Sequence, residues 1–124
     1  MKSLLLIAHG SRREASNEEI RELTIKLRQH PSNNADNTSC AFLELAEPSI
    51  PEGIQSCIDN GAKTIVVYPY FLSKGRHVTE DIPAEVARKK LEYPEIDIFI
   101  AGYFGAADEV VDLLAQQTSH ALKP

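Results

Sequence analysis

Four short apolar runs, each followed by a stretch of helical periodicity, constrain the fold of this chain more than any other feature. The runs cover residues 3–8, 38–45, 64–68 and 96–101. Between and after them, helices are predicted over Glu14–Gln29, from Pro48 and Pro51 through Asn60, from Thr79 to about Glu92, and from about Ala107 to Ala121. Ser49 is placed to cap the second helix and Gly61 to end it. Strands alternating with helices of this length mean βαβ units with right-handed crossovers and a parallel sheet covered on both faces. The runs 4–7 and 65–67 are continuous rather than alternating, as strands covered on both faces require. The simplest topology is a single α/β domain, residues 1–124, with a four-stranded parallel sheet in the order 2-1-3-4.

The rest of the sequence narrows the class. At 124 residues the chain has the size of one domain. The apolar start spans only residues 4–8 before charges follow, too short for the core of a signal peptide, so a buried first strand and a cytoplasmic protein are expected. The net charge of −5 argues against nucleic acid, whose phosphates need a basic face. Without eighteen consecutive apolar residues, no membrane helix is expected. Cys40 and Cys57 form no CxxC pair and sit among apolar residues, which reads as two buried, reduced thiols.

In this topology the chain reverses direction between strands 1 and 3, and open α/β sheets bind ligands at that switch point, outside the carboxyl ends of the strands. Two loops meet there. The first carries His9, Gly10, Ser11, Arg12 and Arg13; the second runs from Pro69 through Leu72, Ser73, Lys74, Gly75 and Arg76 to His77. A single histidine at a strand end is ordinarily a hydrogen-bonded structural residue. Two of them on neighbouring loops suit Co²⁺, Ni²⁺, Fe²⁺ or Zn²⁺, and imidazole also accepts protons near neutral pH. Glu47, where strand 2 turns into its helix, lies on the same edge as a third oxygen ligand or a partner for a substrate N–H. It reads equally well as a carboxylate at a helix N-terminus. Glu44 has a similar, weaker claim. Arg12, Arg13, Lys74 and Arg76 gather positive charge on an acidic protein, as a carboxylate-rich or phosphorylated ligand would require.

Several chemistries drop out. There is no GxSxG elbow, no GxxxxGK[ST] and no GxGxxG. A strand ending in His-Gly is reminiscent of histidine phosphatases, but Ala8 stands where the phosphate-binding arginine would be.

Four blocks together resemble the CbiX-type class II chelatases, the sirohydrochlorin cobaltochelatases. They are LLLIAHGSR at 4–12, AFLELAEPS at 41–49, VVYPYFLSKGRH at 66–77 and VTEDIP at 78–83. The tail from Gly105 to Asp108, with Val111 and Leu113, resembles the family's last loop and helix, so the likeness spans nearly the whole chain. The resemblance implies that His9 and His77 hold the incoming metal and that His9 also takes a pyrrole proton. It implies that Glu47 works at the substrate and that residues 72–76 lie against the macrocycle. It further implies chemistry without ATP, a divalent metal (Co²⁺ foremost, Fe²⁺ or Ni²⁺ otherwise) as substrate, and a short form whose homodimer imitates the halves of two-domain relatives. The chain departs from the family pattern in lacking the histidine-rich insert of some short members and in carrying Tyr103-Phe104 where Pro-Leu is expected.

Overall fold

The first apolar run becomes β1 (Lys2–Ala8), a central strand of the sheet in the computed structural model, which describes residues 1–123. It pairs in parallel with β2 (Asn37–Phe42) on one side and β3 (Thr64–Pro69) on the other, and β3 pairs with β4 (Asp97–Ile100). The strand order is β2-β1-β3-β4, with every pair parallel, as the alternation of runs and helices predicts. The helices are α1 (Glu14–Gln29), α2 (Ile50–Asp59), α3 (Ile82–Glu92) and α4 (Asp108–Leu122).

Register divides the sheet into two faces. Leu5, Ile7, Ala41, Ile65, Val67 and Ile98 point to one side, where Ile50, Ile54 and Cys57 of α2 and Ile82 and Val86 of α3 complete the core. The helix α2 comes close because Gly53 has no side chain; an added Cβ would stand 2.8 Å from that of Ala41. Ser49 and Glu52 close a capping box at its start, as the Ser49 reading predicts. The opposite face carries Leu4, Leu6, Cys40, Val66, Tyr68 and Phe99. There α1 covers the β1–β2 side, and cover is lost toward the edge: Leu6 is 4 % exposed and Phe99 is 56 %.

The structure corrects several expectations. The strand predicted over 38–45 ends at Phe42, whose N–H donates to the Pro48 carbonyl while Leu45 takes a left-handed backbone (φ 64°) that extended chain cannot continue through. β3 alternates between buried and half-buried residues, because its second face is covered only in part. The loop expected to reach Val78 stops earlier. Val78 and Thr79 N–H both donate to the Gly75 carbonyl, and a π-helical turn, His77–Asp81, leads into α3. Pro83 has no N–H for the Thr79 carbonyl, and Ile82 donates instead to His77, five residues back. Cys57 is buried, with its thiol pushed up by burial, but Cys40 is only half-buried; both are free.

Candidate active site at the switch-point edge

At the carboxyl end of β1 the backbone ladder continues two residues past the strands. Leu43 N–H donates to the Ala8 carbonyl, and Glu44 N–H to the His9 carbonyl at 3.0 Å. The second bond sets the Glu44 side chain beside its partner: His9 Nε2 and Glu44 Oε1 are 2.9 Å apart. Gly10 makes this possible. Its φ of +93° suits glycine, and any Cβ there would collide with the Glu44 carbonyl oxygen.

The second histidine arrives on the π-helical turn, one helical turn before Asp81, and His77 Nδ1 lies 2.7 Å from Asp81 Oδ2. An ionised Asp81 accepts the Nδ1–H and leaves Nε2 with its lone pair free. The rings of His9 and His77 meet edge to face, with centroids 5.0 Å apart and an interplanar angle of 81°. Both imidazoles, Glu44 and Asp81 are roughly half-exposed, so the edge is open to solvent. A hollow of about 300 Å³ adjoins it, with His77, Asp81, Glu44, Glu85 and Arg88 among its walls.

The remaining sequence-predicted residues divide differently from expectation. The Glu47 carboxylate is exposed, and only its main-chain carbonyl is engaged, accepting from Arg21. Arg12, Arg13, Leu72, Ser73, Lys74, Gly75 and Arg76 are all exposed, and Arg76 pairs with Glu80 at 3.5 Å. None of these cations lines the hollow beside His77; the cation there is Arg88 of α3. Of Tyr103 and Phe104, the departures in the fourth-strand loop, Phe104 packs against Tyr70 with the rings tilted at 58° and their centroids 5.1 Å apart, and the next residue, Gly105, donates its N–H to the Phe71 carbonyl. Sequence reasoning missed Asp81 and Arg88. The i, i+4 spacing of His77 and Asp81 signals the pair once the helical turn is known to begin at the histidine. Among the described residues no three His, Cys, Asp or Glu side chains are drawn together as a closed metal cage.

The fold is thus an open parallel α/β sheet that carries two imidazoles and two carboxylates on an exposed edge at its switch point. Residues 3–121 match the sequence profile of the CbiX family, and the chain belongs to that family. It is 33 % identical over 119 residues to the chloroplastic sirohydrochlorin ferrochelatase of Arabidopsis thaliana, covering 96 % of this chain and 52 % of that protein. The sirohydrochlorin cobaltochelatase of Methanocaldococcus jannaschii is 31 % identical over 138 residues, with 92 % of this chain and 95 % of that protein covered. Among solved structures, the sirohydrochlorin chelatase SirB from Bacillus subtilis subspecies spizizenii, in complex with cobalt, superposes with a TM-score of 0.82 at 32 % identity. That match covers 96 % of this chain and 50 % of the other. The chain thus spans about half the length of several relatives and nearly the whole of others.

Proposed function

We propose that the chain inserts a divalent metal, Co²⁺ foremost, into sirohydrochlorin without ATP, and that two copies act together as a homodimer. The observation that carries this reading is the 5.0 Å approach of His9 and His77 at the open sheet edge of a CbiX-family chain. The relatives named sirohydrochlorin cobaltochelatase and ferrochelatase supply the reaction class.

Insertion must strip water from the ion, remove two pyrrole protons and bring metal and ring together. In this reading His77 offers the metal its Nε2 lone pair, since Asp81 occupies Nδ1. His9 and Glu44 form the other half: the imidazole holds metal or takes a pyrrole proton, and Glu44 receives the Nε2 proton as that happens. Two histidines with open positions suit a metal that must leave again for the ring. Glu47, Arg12 and residues 72–76 stand as contacts to the carboxylate-rich macrocycle, on exposed segments around the same edge. Glu44 has a better geometric claim than Glu47 to touch the reacting atoms, because it alone of the two meets His9.

The test mixes protein, sirohydrochlorin and metal and follows the absorption spectrum. Turnover beyond one equivalent of protein supports the chelatase, and His9→Ala and His77→Ala each lower it by orders of magnitude. Conversion that stops at one equivalent identifies a carrier instead. The same assay run with Co²⁺, Fe²⁺ and Ni²⁺ ranks the metals, whose intrinsic affinities for such ligands follow the Irving–Williams order.

A further inference from the structure

Helix α1 meets β2 along a seam that is polar, where a helix covering a sheet is ordinarily apolar. Asn17, Arg21, Thr24 and Arg28 recur at spacings of four and three, and the two buried side chains of the helix, Asn17 and Thr24, are both polar. Thr24 returns its hydroxyl to the Ile20 carbonyl of its own helix. Arg28 crosses to the Thr38 carbonyl, near the amino end of β2. Asn17 and Arg21 reach further, into the loops of the site.

A buried amide must find partners to replace the water it loses. Asn17, 2 % exposed, finds both on one residue: it accepts from the Ser11 N–H at 2.9 Å and donates to the Ser11 carbonyl at 2.8 Å. Ser11 stands two residues beyond His9, so this grip fixes the far end of the turn that carries the imidazole. One helical turn on, the Arg21 guanidinium lies over the Phe42 ring, 5.3 Å from its centroid, and donates to the Glu47 carbonyl at 3.3 Å. Phe42 and Glu47 bracket the segment that holds Glu44. Glu14 joins the two grips, since its carboxylate accepts from both Arg21 and Asn17. One face of α1 therefore holds both segments between which the 2.9 Å contact of His9 and Glu44 is made. There is no slack between them, because Gly10 lies so close to the Glu44 carbonyl that no Cβ would fit.

We propose that Asn17 and Arg21 are positioning residues for metal insertion: through Ser11 and Glu47 they fix the segments that set His9 against Glu44 and beside His77. The proposal rests on the reaction put forward above and adds to it two residues that act through others. Their loss disturbs the geometry of the reacting groups rather than the grip on the macrocycle, so it should fall on kcat and leave KM for sirohydrochlorin nearly unchanged. Lysine is no substitute for Arg21. One guanidinium nitrogen serves Glu14 and Glu18 while the other serves the Glu47 carbonyl, and lysine ends in a single nitrogen.

Asn17→Ala and Arg21→Lys test this beside Arg28→Met, which breaks an α1–β2 contact at the end of the strand away from the site. Each is measured for cobalt insertion and urea midpoint and, without metal, for the nuclear Overhauser contact between the His9 and His77 ring protons. Asn17→Ala and Arg21→Lys should lower kcat by about tenfold or more, keep KM within about twofold and weaken the ring contact. Arg28→Met should lower the urea midpoint alone. Should Asn17→Ala fail to fold, Arg21→Lys, at a half-buried position, carries the test. An unaltered kcat in either folded variant, or a kcat that falls as far in Arg28→Met, makes the seam a matter of stability and overturns the proposal. A wild type that inserts no metal overturns the reaction instead. The ring contact then decides the positioning by itself, and its persistence at full strength in both variants overturns that too.

Discussion

His9 and Glu44 are joined twice, once through the backbone, where the Glu44 N–H donates to the His9 carbonyl, and once through the side chains, where Nε2 and Oε1 are 2.9 Å apart. The main-chain bond prolongs the β1–β2 ladder and leaves the carboxylate little freedom to be anywhere else. With Glu44 ionised, His9 carries its proton on Nε2 and presents Nδ1 as the free lone pair. Binding a metal through Nε2 therefore requires Glu44 to take that proton or let the ring turn. Glu44→Ala is expected to lower cobalt insertion about 10²-fold with the circular dichroism unchanged. Glu47→Ala, which removes a contact to the macrocycle and none to His9, should cost the rate less than Glu44→Ala does. A larger loss from Glu47→Ala than from Glu44→Ala in the absorption assay reverses the assignment.

Asp81 orients the second imidazole. Its 2.7 Å contact with His77 Nδ1 selects the tautomer whose Nε2 is unprotonated. Asp81→Asn can still accept from that N–H through its carbonyl, but without the charge that favours the proton there. The expected loss is about tenfold in metal affinity, and Asp81→Ala should reach toward a hundredfold. Titration calorimetry with Co²⁺ reads this apart from turnover. Equal affinities for wild type and Asp81→Ala would show that the ring needs no such orientation.

What was legible in the sequence was whatever depended on continuous local pattern. Runs such as residues 4–7 and 64–68 announced β1 and β3, and the switch-point rule then put His9 and His77 on one edge. What escaped depended on single backbone events. Leu45 in a left-handed conformation ends β2 early, and nothing in its side chain advertises it. The helix predicted from Thr79 forms, yet a π-helical turn that begins two residues earlier leads into it and carries His77 and Asp81. The cations were read as one cluster because their loops converge, but exposed side chains at loop tips can point apart, and Arg88 entered the hollow from a helix instead. Helix α4 is likewise legible from its periodicity, while its exposure along its length is not.

The cap of α2 gives a stability prediction with a definite pH sign. The Ser49 backbone N–H, and then its hydroxyl, hold the Glu52 carboxyl below the ordinary carboxylate range. A carboxyl depressed in the folded state stabilises the fold above its unfolded value of 4.5, and that contribution disappears as pH falls through the lower folded value. The difference in urea midpoint between wild type and Glu52→Gln should thus be present at neutral pH and close on acidification. A gap that widens in acid contradicts the capping role. Separately, Ser49→Ala removes the hydroxyl that accepts from the Glu52 N–H, and the loss of such a cap costs about 1 kcal/mol.

Gly10 ties the fold to the site, and its replacement should damage both at once. Alanine at φ +93° leaves the comfortable regions of backbone space, which costs on the order of 1–2 kcal/mol before any contact is considered. The new methyl would also drive into the Glu44 carbonyl oxygen, which is backbone and cannot swing aside like a side chain. One of two segments must move. If residues 9–11 shift, the His9 ring leaves its place 5.0 Å from His77; if residues 43–45 shift, the Glu44 carboxylate leaves His9. Either way the reaction suffers more than stability, since a displacement near 1 Å at reacting groups can cost about 10²-fold in rate. Gly10→Ala should therefore unfold at clearly lower urea concentration, remain folded in its absence, and insert cobalt at least 10²-fold more slowly. A variant that loses the stability but keeps the rate would mean that the His9–Glu44 contact is structural, with the chemistry resting on His77 and the macrocycle alone.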